Sequence, residues 1–325
     1  MLKTFKTMLG ATFGLALFTA PAMSEVITIG SGSQGSLGFN TGQSIAKIVN
    51  QELGITARTQ PLTGYLPLIN NGELDFGFAN AVEVGFAGTS TGTYTGRQNS
   101  KLRLVGTMFP LKTGLMVVAD TGIETVADLK AMASGLRIAS EYKGSTIIPY
   151  YIEGGLANGG MVYDDFVKVP VSNFVKGIFA LGDGLVDVSL VSLNSGAGKK
   201  SNAQLRDRGG LKYVSLDNSP EGQAKFKQFM PAAKIISMKA NPNIPGLQKD
   251  VNIMEIPWMM ITNEDVSDEL VYKITKAIVE HNDKLGASFG AFKNAKSVAM
   301  APANAMSYHP GALRYYKEAG IKVGD

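Results

Sequence analysis

An α/β architecture of two similar lobes facing each other across a ligand cleft is predicted by three observations. Strand-like and helix-like segments alternate along nearly the whole chain, as a largely parallel sheet covered by helices requires. Beyond an N-terminal leader-like segment, about 300 residues exceed what one hydrophobic core usually organises. A short signature also occurs twice, Gly72-Glu73-Leu74-Asp75-Phe76-Gly77 and Gly184-Leu185-Val186-Asp187-Val188-Ser189. Each places Asp three residues after Gly, between a short helix and a buried strand.

The leader has three parts. Lys3 and Lys6 open it, Met8 to Thr19 is apolar, and Pro21 to Ser24 is built of small residues. This is the layout of an export signal cleaved after Ala22-Met23-Ser24. A run of about a dozen apolar residues is too short to span a bilayer, which takes roughly 20. No twin-Arg pair is present, so the chain is expected to cross the membrane unfolded and without a cofactor. Cysteine is absent from all 325 residues, which excludes disulfides, thiolate metal sites and a cysteine nucleophile. Export without disulfides points to a bacterial periplasm. The net charge of +4 falls by two once Lys3 and Lys6 are removed, and no basic stripe offers a footprint for nucleic acid. Two histidines, His281 and His309, are poor support for a metal or proton-relay site.

The elements follow in order. Val26 to Gly30 is a strand running into the loop Gly30-Ser31-Gly32-Ser33-Gln34-Gly35. Ser44 to Glu52 is predicted helical with Ile45, Ile48 and Val49 on one face, followed by a strand from Ile55 to Gln60. A helix from Leu66 to Asn71 leads into a strand from Asp75 to Ala79. A strand from Leu102 to Met108 passes through Phe109-Pro110-Leu111 into the apolar run Leu115 to Ala119. The scheme then repeats: helix Val126 to Ala133, strand Leu136 to Ala139, helix Ile147 to Leu156, strand Phe166 to Val171, helix Phe174 to Leu181, strand Val186 to Val191. Val251 to Thr262 is long and extended; Pro257 within it argues for an edge or a hinge. One helix is predicted from Asp265 to Phe289 with Ser267 as N-cap, and a last from Ala312 to Ala319, stopped by Gly320. Residues 25–118 with 252–325 are expected to form one lobe and 119–251 the other.

Ligands of open α/β sheets sit beyond the carboxyl ends of the strands, which singles out the loops there. Gly30-x-Gly32-x-x-Gly35 matches a dinucleotide fingerprint, but the second strand ends at Gln60-Pro61 with no carboxylate for a ribose. The loop is read instead as a small-anion cradle of backbone N–H groups, hydroxyls and an amide, from Gly32, Ser33, Gln34 and Ser36. Lys143, Gly144, Ser145 and Thr146 occupy the same place in the second half, with Lys143 either a ligand partner or a surface charge. Gly64 and Tyr65 follow the second strand, Tyr65 either packed or facing the ligand. Asn80, Ser192 and Asn194 stand at strand ends and would orient the rest of the ligand. Glu83 would repel a carboxylate and needs an amine or a partner. Ser195-Gly196-Ala197-Gly198-Lys199-Lys200 lacks the first glycine and last hydroxyl of a phosphate loop. His309 has no nucleophile beside it and is read as a helix-start residue, and Trp258 either lines the cleft or fills a core.

Taken together, the export leader, the Gly/Ser loop, Thr63-Gly64-Tyr65, Asn71-Gly72-Glu73-Leu74-Asp75-Phe76-Gly77, Val126-Ala127-Asp128-Leu129-Lys130, Gly144-Ser145-Thr146 and Tyr308-His309-Pro310-Gly311-Ala312 with Tyr315-Tyr316 form an ordered set. The chain in this respect resembles the TAXI family of substrate-binding proteins, the extracytoplasmic receptors of one branch of TRAP transporters. The resemblance implies the type II periplasmic-binding-protein fold and a monomeric receptor, not an enzyme, with no cofactor. It further implies a small anionic ligand of the glutamate, 2-oxoacid or dicarboxylate class, delivered to a TRAP membrane subunit. Where that family carries an aromatic pair after the first glycine loop, this chain has Gly38-Phe39, which implies a widened pocket or an altered stacking surface beside Phe39. An ABC-type receptor for sulfonates or related anions is the alternative, with an enzyme on the same scaffold a third. Porphobilinogen deaminase has such lobes, but its cofactor needs a cysteine.

Overall fold

The computed structural model describes residues 26–193, 195–297 and 299–324, so the leader and Asn194 lie outside the described residues. The chain begins with β1 (Val26–Gly30), α1 (Leu37–Glu52), β2 (Thr56–Gln60), α2 (Leu66–Asn70), β3 (Phe76–Asn80) and α3 (Ala81–Thr89). It crosses on β4 (Leu102–Val118) into α4 (Val126–Met132), β5 (Arg137–Glu141), α5 (Ile148–Asn158), β6 (Val167–Val171), α6 (Phe174–Gly182) and β7 (Ser189–Ser192). α7 (Gly196–Gln204), β8 (Leu211–Tyr213), α8 (Pro220–Lys227) and β9 (Lys234–Met238) follow. It returns on β10 (Val251–Asn263) to α9 (Asp268–Glu280), α10 (Asn282–Ser288) and α11 (Pro310–Glu318).

The main sheet runs β2-β1-β3-β10-β4-β7, with β8 added to β4 and β9 to β10. β2, β1 and β3 are parallel, as strands joined through α1 and α2 must be. β5 and β6 pair in parallel as a second sheet, touching the first through the Ile138–Val188 bridge. α1, α9 and α11 cover the first lobe with Ile45, Ile48, Leu270, Ile274, Ala312 and Tyr316, all buried.

Two long strands, β4 and β10, belong to both lobes. They pair antiparallel from Met254–Thr113 to Asn263–Leu102, but their other neighbours change midway. β9 pairs with β10 as far as Glu255 and β3 begins at Trp258, so Ile256 and Pro257 have no partner on that side. Pro257 stands opposite Pro110, and neither has an N–H to give. A proline was expected to put this segment at an edge or a hinge; it lies not at an edge but in mid-sheet, opposite a second proline and at the point where the strand on its other side changes. For the same reason the segments expected on either side of Pro110 are one continuous strand.

The repeated Gly-x-x-Asp has the same job in each lobe. Asp75 Oδ2 accepts from the Thr28 backbone N–H and hydroxyl, both at 2.7 Å. Asp187 Oδ2 accepts from the Arg137 backbone N–H at 2.8 Å, while the Arg137 guanidinium donates to both oxygens at 2.7–2.9 Å. Each Asp backbone N–H returns a bond to the carbonyl of the same residue. The carboxylate therefore clamps the lobe's first strand to the strand that follows its second helix.

Other boundaries moved for local reasons. α1 starts at Leu37, two turns earlier than expected, with Ser36 Oγ accepting from Phe39 N–H at 3.1 Å. Gly38 and Gly42 look like helix breakers, but they are contact points: a Cβ would stand 2.8 Å from the Ser31 carbonyl at Gly38 and 2.9 Å from Thr59 at Gly42. The helix expected over 265–289 divides at His281 into α9 and α10. Ser267 caps α9 as expected, and His309 caps α11 through Nδ1, which accepts from Gly311 N–H. Charged hydrogen bonds contribute about 1.5–3 kcal/mol each, so Asp75→Ala should lower unfolding stability by about 2–4 kcal/mol in urea. Thr28→Val, which removes the hydroxyl with its bonds to the Asp75 carboxylate and from the Asp75 N–H, should cost about 1.5–3 kcal/mol.

Candidate functional site

Where the lobes meet, a cavity of about 150 Å³ opens at the carboxyl ends of β1, β3, β5 and β7. The first lobe lines it with Ser31, Gly32, Ser33 and Ser36 from the β1–α1 loop, with Thr63, Gly64 and Tyr65 from the β2–α2 loop, and with Phe78, Asn80, Glu83 and Trp258. The second lobe supplies Gly144, Ser145, Thr146, Tyr151, Phe174, Val175, Leu190 and Ser192, and β4 adds Leu111 and Thr113. The lobes touch at its rim. Gly35 carbonyl oxygen accepts from Ala197 N–H at 3.2 Å and from Ser195 Oγ at 3.4 Å, and the Phe86 and Tyr150 rings are 5.1 Å apart.

The two expected donor loops are thus brought together. Backbone N–H groups of Gly32, Ser33 and Leu37 from one lobe, and of Thr146 and Ile147 from the other, meet no acceptor among the described residues. Ser36 and Ser145 hydroxyls accept backbone N–H bonds from Phe39 and Phe174, which leaves each hydroxyl proton free to be given to a ligand. Ser31 Oγ donates to Gln60 O and Ser192 Oγ to Thr113 Oγ1, so those two are committed to the protein.

Several expected residues stand elsewhere. Gln34 is exposed and does not line the cavity, nor does Phe39. Lys143 is exposed and paired with Glu141 at 3.3 Å. Two successive left-handed residues, Glu141 (φ 64°) and Tyr142 (φ 48°), turn the Tyr142 ring into the core and leave Lys143 on the surface. Tyr65 is both packed and lining: its hydroxyl donates to Phe78 O and its ring lies against Gly30 and Gly77. Asn80 caps α3, its Oδ1 accepting from Glu83 N–H at 2.9 Å. Its side chain is therefore occupied in building the wall.

At position 38 a widened pocket or an altered stacking surface was expected, and the structure shows what stands there. No side chain fits there beside the Ser31 carbonyl, and Trp258 approaches the place such a side chain would occupy, 3.4 Å from an ideal Cβ. Stacked on Phe78 at 6.3 Å, Trp258 supplies the aromatic wall, and its buried Nε1–H has no partner among the described residues.

Sequence reasoning missed the apolar side of the cavity. Leu37, Leu111, Ile148, Val175 and Leu190 carry the same pattern as core residues, and nothing in their spacing distinguishes them. Glu83, which was expected to need an amine or a partner, lines the cavity, with no Lys, Arg or His among the lining residues. Tyr94 donates to Glu83 Oε1 at 2.9 Å and Asn80 Nδ2 to Oε2 at 3.4 Å. Burial pushes this carboxyl up to about 7, against the Tyr94 bond that draws it down. Among the described residues no group of three or more His, Asp or Glu is placed to hold a metal ion, and no helix is long and apolar enough to cross a membrane.

Two α/β lobes sharing two crossing strands, with a cavity where they meet, define the periplasmic-binding-protein fold. The chain belongs to the NMT1-like family, whose family model matches residues 29–320. A solved protein described as a periplasmic transporter superposes with a TM-score of 0.58 at 12% identity, covering 92% of this chain and 94% of that one. MatC from Rhodopseudomonas palustris with bound malate gives a TM-score of 0.56 at 12% identity, over 82% of this chain and 88% of that one. At such identities the likeness is one of fold.

Because the folded chain holds the Glu83 proton more tightly than an ordinary carboxyl at 4.5 does, stability should fall as pH rises through 4.5 and level off above about 7. Glu83→Gln removes this dependence. In ligand-free protein the variant should match the parent near pH 4 and exceed it by about 3 kcal/mol at pH 8, read from urea unfolding.

Proposed function

We propose that the chain is an extracytoplasmic solute receptor of the TAXI kind, capturing a small organic acid or amino acid and delivering it to the membrane subunit of a TRAP-type transporter. The observation that carries this reading is the distribution of free donors: unpaired N–H groups and hydroxyl protons from both lobes converge on one cavity. A ligand anion satisfies both sets only when the lobes are together, so binding favours the closed form. The partner then reads occupancy as shape.

Pro110 and Pro257 are the proposed hinge, which places the exchange between lobes inside the boundaries expected near 118 and 252. Partner strands change there, and neither proline has an N–H to give to the ladder. An enzymatic role has less support. Among the described residues no hydrogen bond joins Glu83 to a serine or threonine hydroxyl, so the cavity contains no activated nucleophile of that type. A cavity of about 150 Å³ matches the engineered apolar cavity that accommodates benzene, far smaller than a dinucleotide.

A thermal-shift screen of refolded protein, freed of any carried ligand, tests the reading with dicarboxylates, 2-oxoacids, amino acids, sulfonates, phosphonates and NAD. A ligand at 100 times its dissociation constant should add about 2.7 kcal/mol of stability. A carboxylate or amino-acid hit is the expected result. A response to sulfonates or phosphonates alone moves the chain to the anion-receptor class, and a response to NAD alone overturns the reading of the glycine loop.

A further inference from the structure

The cavity has one ionisable carboxylate, Glu83, and no basic side chain in its lining. That is an unusual place to put an anion. A dicarboxylate would bring two more negative charges beside Glu83 with only neutral donors to hold them, and buried charge without an opposite charge is strongly unfavourable. Glu83 itself has no cationic partner; Tyr94 and Asn80 occupy one site on each oxygen, while an ionised carboxylate accepts at about four. A ligand carrying its own positive charge resolves both problems at once.

Resting on the receptor reading above, we propose that the ligand is an α-amino acid with an apolar side chain. Its ammonium group is held by Glu83. Its carboxylate lies among the N–H groups and hydroxyls of residues 32–36 and 144–147, where the buried Trp258 Nε1–H is an additional unpaired donor. Its side chain faces Leu111, Ile148, Val175 and Leu190, the apolar part of the same lining. A zwitterion adds no net charge to the site, and its ammonium gives Glu83 the cationic partner that no described residue supplies.

Isothermal titration of the refolded, unaltered chain tests this with L-leucine and L-phenylalanine against 4-methylpentanoate, which lacks only the ammonium group of leucine, and 4-methyl-2-oxopentanoate, which carries a ketone in its place. L-glutamate, L-malate, a sulfonate and a phosphonate complete the set. Leucine or phenylalanine should bind best, and the leucine analogues without nitrogen at least about 30-fold more weakly than leucine, the factor expected when a buried charge pair loses one partner. Glu83→Gln should weaken the amino acid by at least about 30-fold and bind 4-methylpentanoate at least as tightly as the parent does, since the repulsion of its carboxylate by Glu83 is removed. Should the variant fail to fold, the analogue series on the parent chain still decides the matter. Tightest binding of a 2-oxoacid, glutamate, malate, sulfonate or phosphonate overturns the proposal and leaves a receptor. An amino-acid affinity indifferent to Glu83→Gln overturns it as well. No binding by any member of the set removes the receptor reading with it.

Discussion

The molecule hangs on the pairing of β4 with β10. Both strands are buried along most of their length, and each contributes to both lobes. Everything else is attached to one half of this ladder or the other: β3 and the parallel strands beyond it on one side of the prolines, β7, β8 and β9 on the other. The cavity exists because the strand ends of the two halves face each other across that crossing. Its walls are therefore positioned by the sheet and not by the loops that carry the donors.

Much of this arrangement was legible in the residues. The alternation of segments gave the architecture, and the two Gly-x-x-Asp repeats marked equivalent places because the carboxylate performs the same clamp at Thr28 and at Arg137. The Gly32–Ser36 and Gly144–Thr146 loops converge because strand ends with small polar residues have little to do in a core. Where the reading failed, the cause was pairing across long sequence distances. Pro257 is tolerated in mid-sheet only because residue 110 is also proline, and no local pattern reports such a match. The first helix was read only from Ser44, yet it starts at Leu37, with Gly38 and Gly42 packed against Ser31 and Thr59. Lys143 was open between ligand partner and surface charge, and the left-handed turn at Glu141 and Tyr142 shows that it faces water.

The electrostatics of the site divide in the same way. In the proposed receptor, attraction for an anion would come from backbone amides, whose positions are fixed by the fold and whose identity the sequence does not encode. Selectivity among acids would come from Glu83, the apolar wall and the lack of arginine or lysine among the lining residues.

The contact between Gly38 and Trp258 has a consequence for how such a site changes over generations. A larger residue at 38 meets the Ser31 carbonyl and the indole together, while a smaller residue at 258 uncovers Phe78. Two positions 220 apart in sequence thereby share one wall, and the Ser31 backbone holds position 38 as glycine whatever stands at 258. The aliphatic wall has no such constraint: among the described residues, no glycine has Leu111, Val175 or Leu190 as its closest contact. Drift in what the site accepts is channelled there, toward ligands of altered girth and unaltered charge.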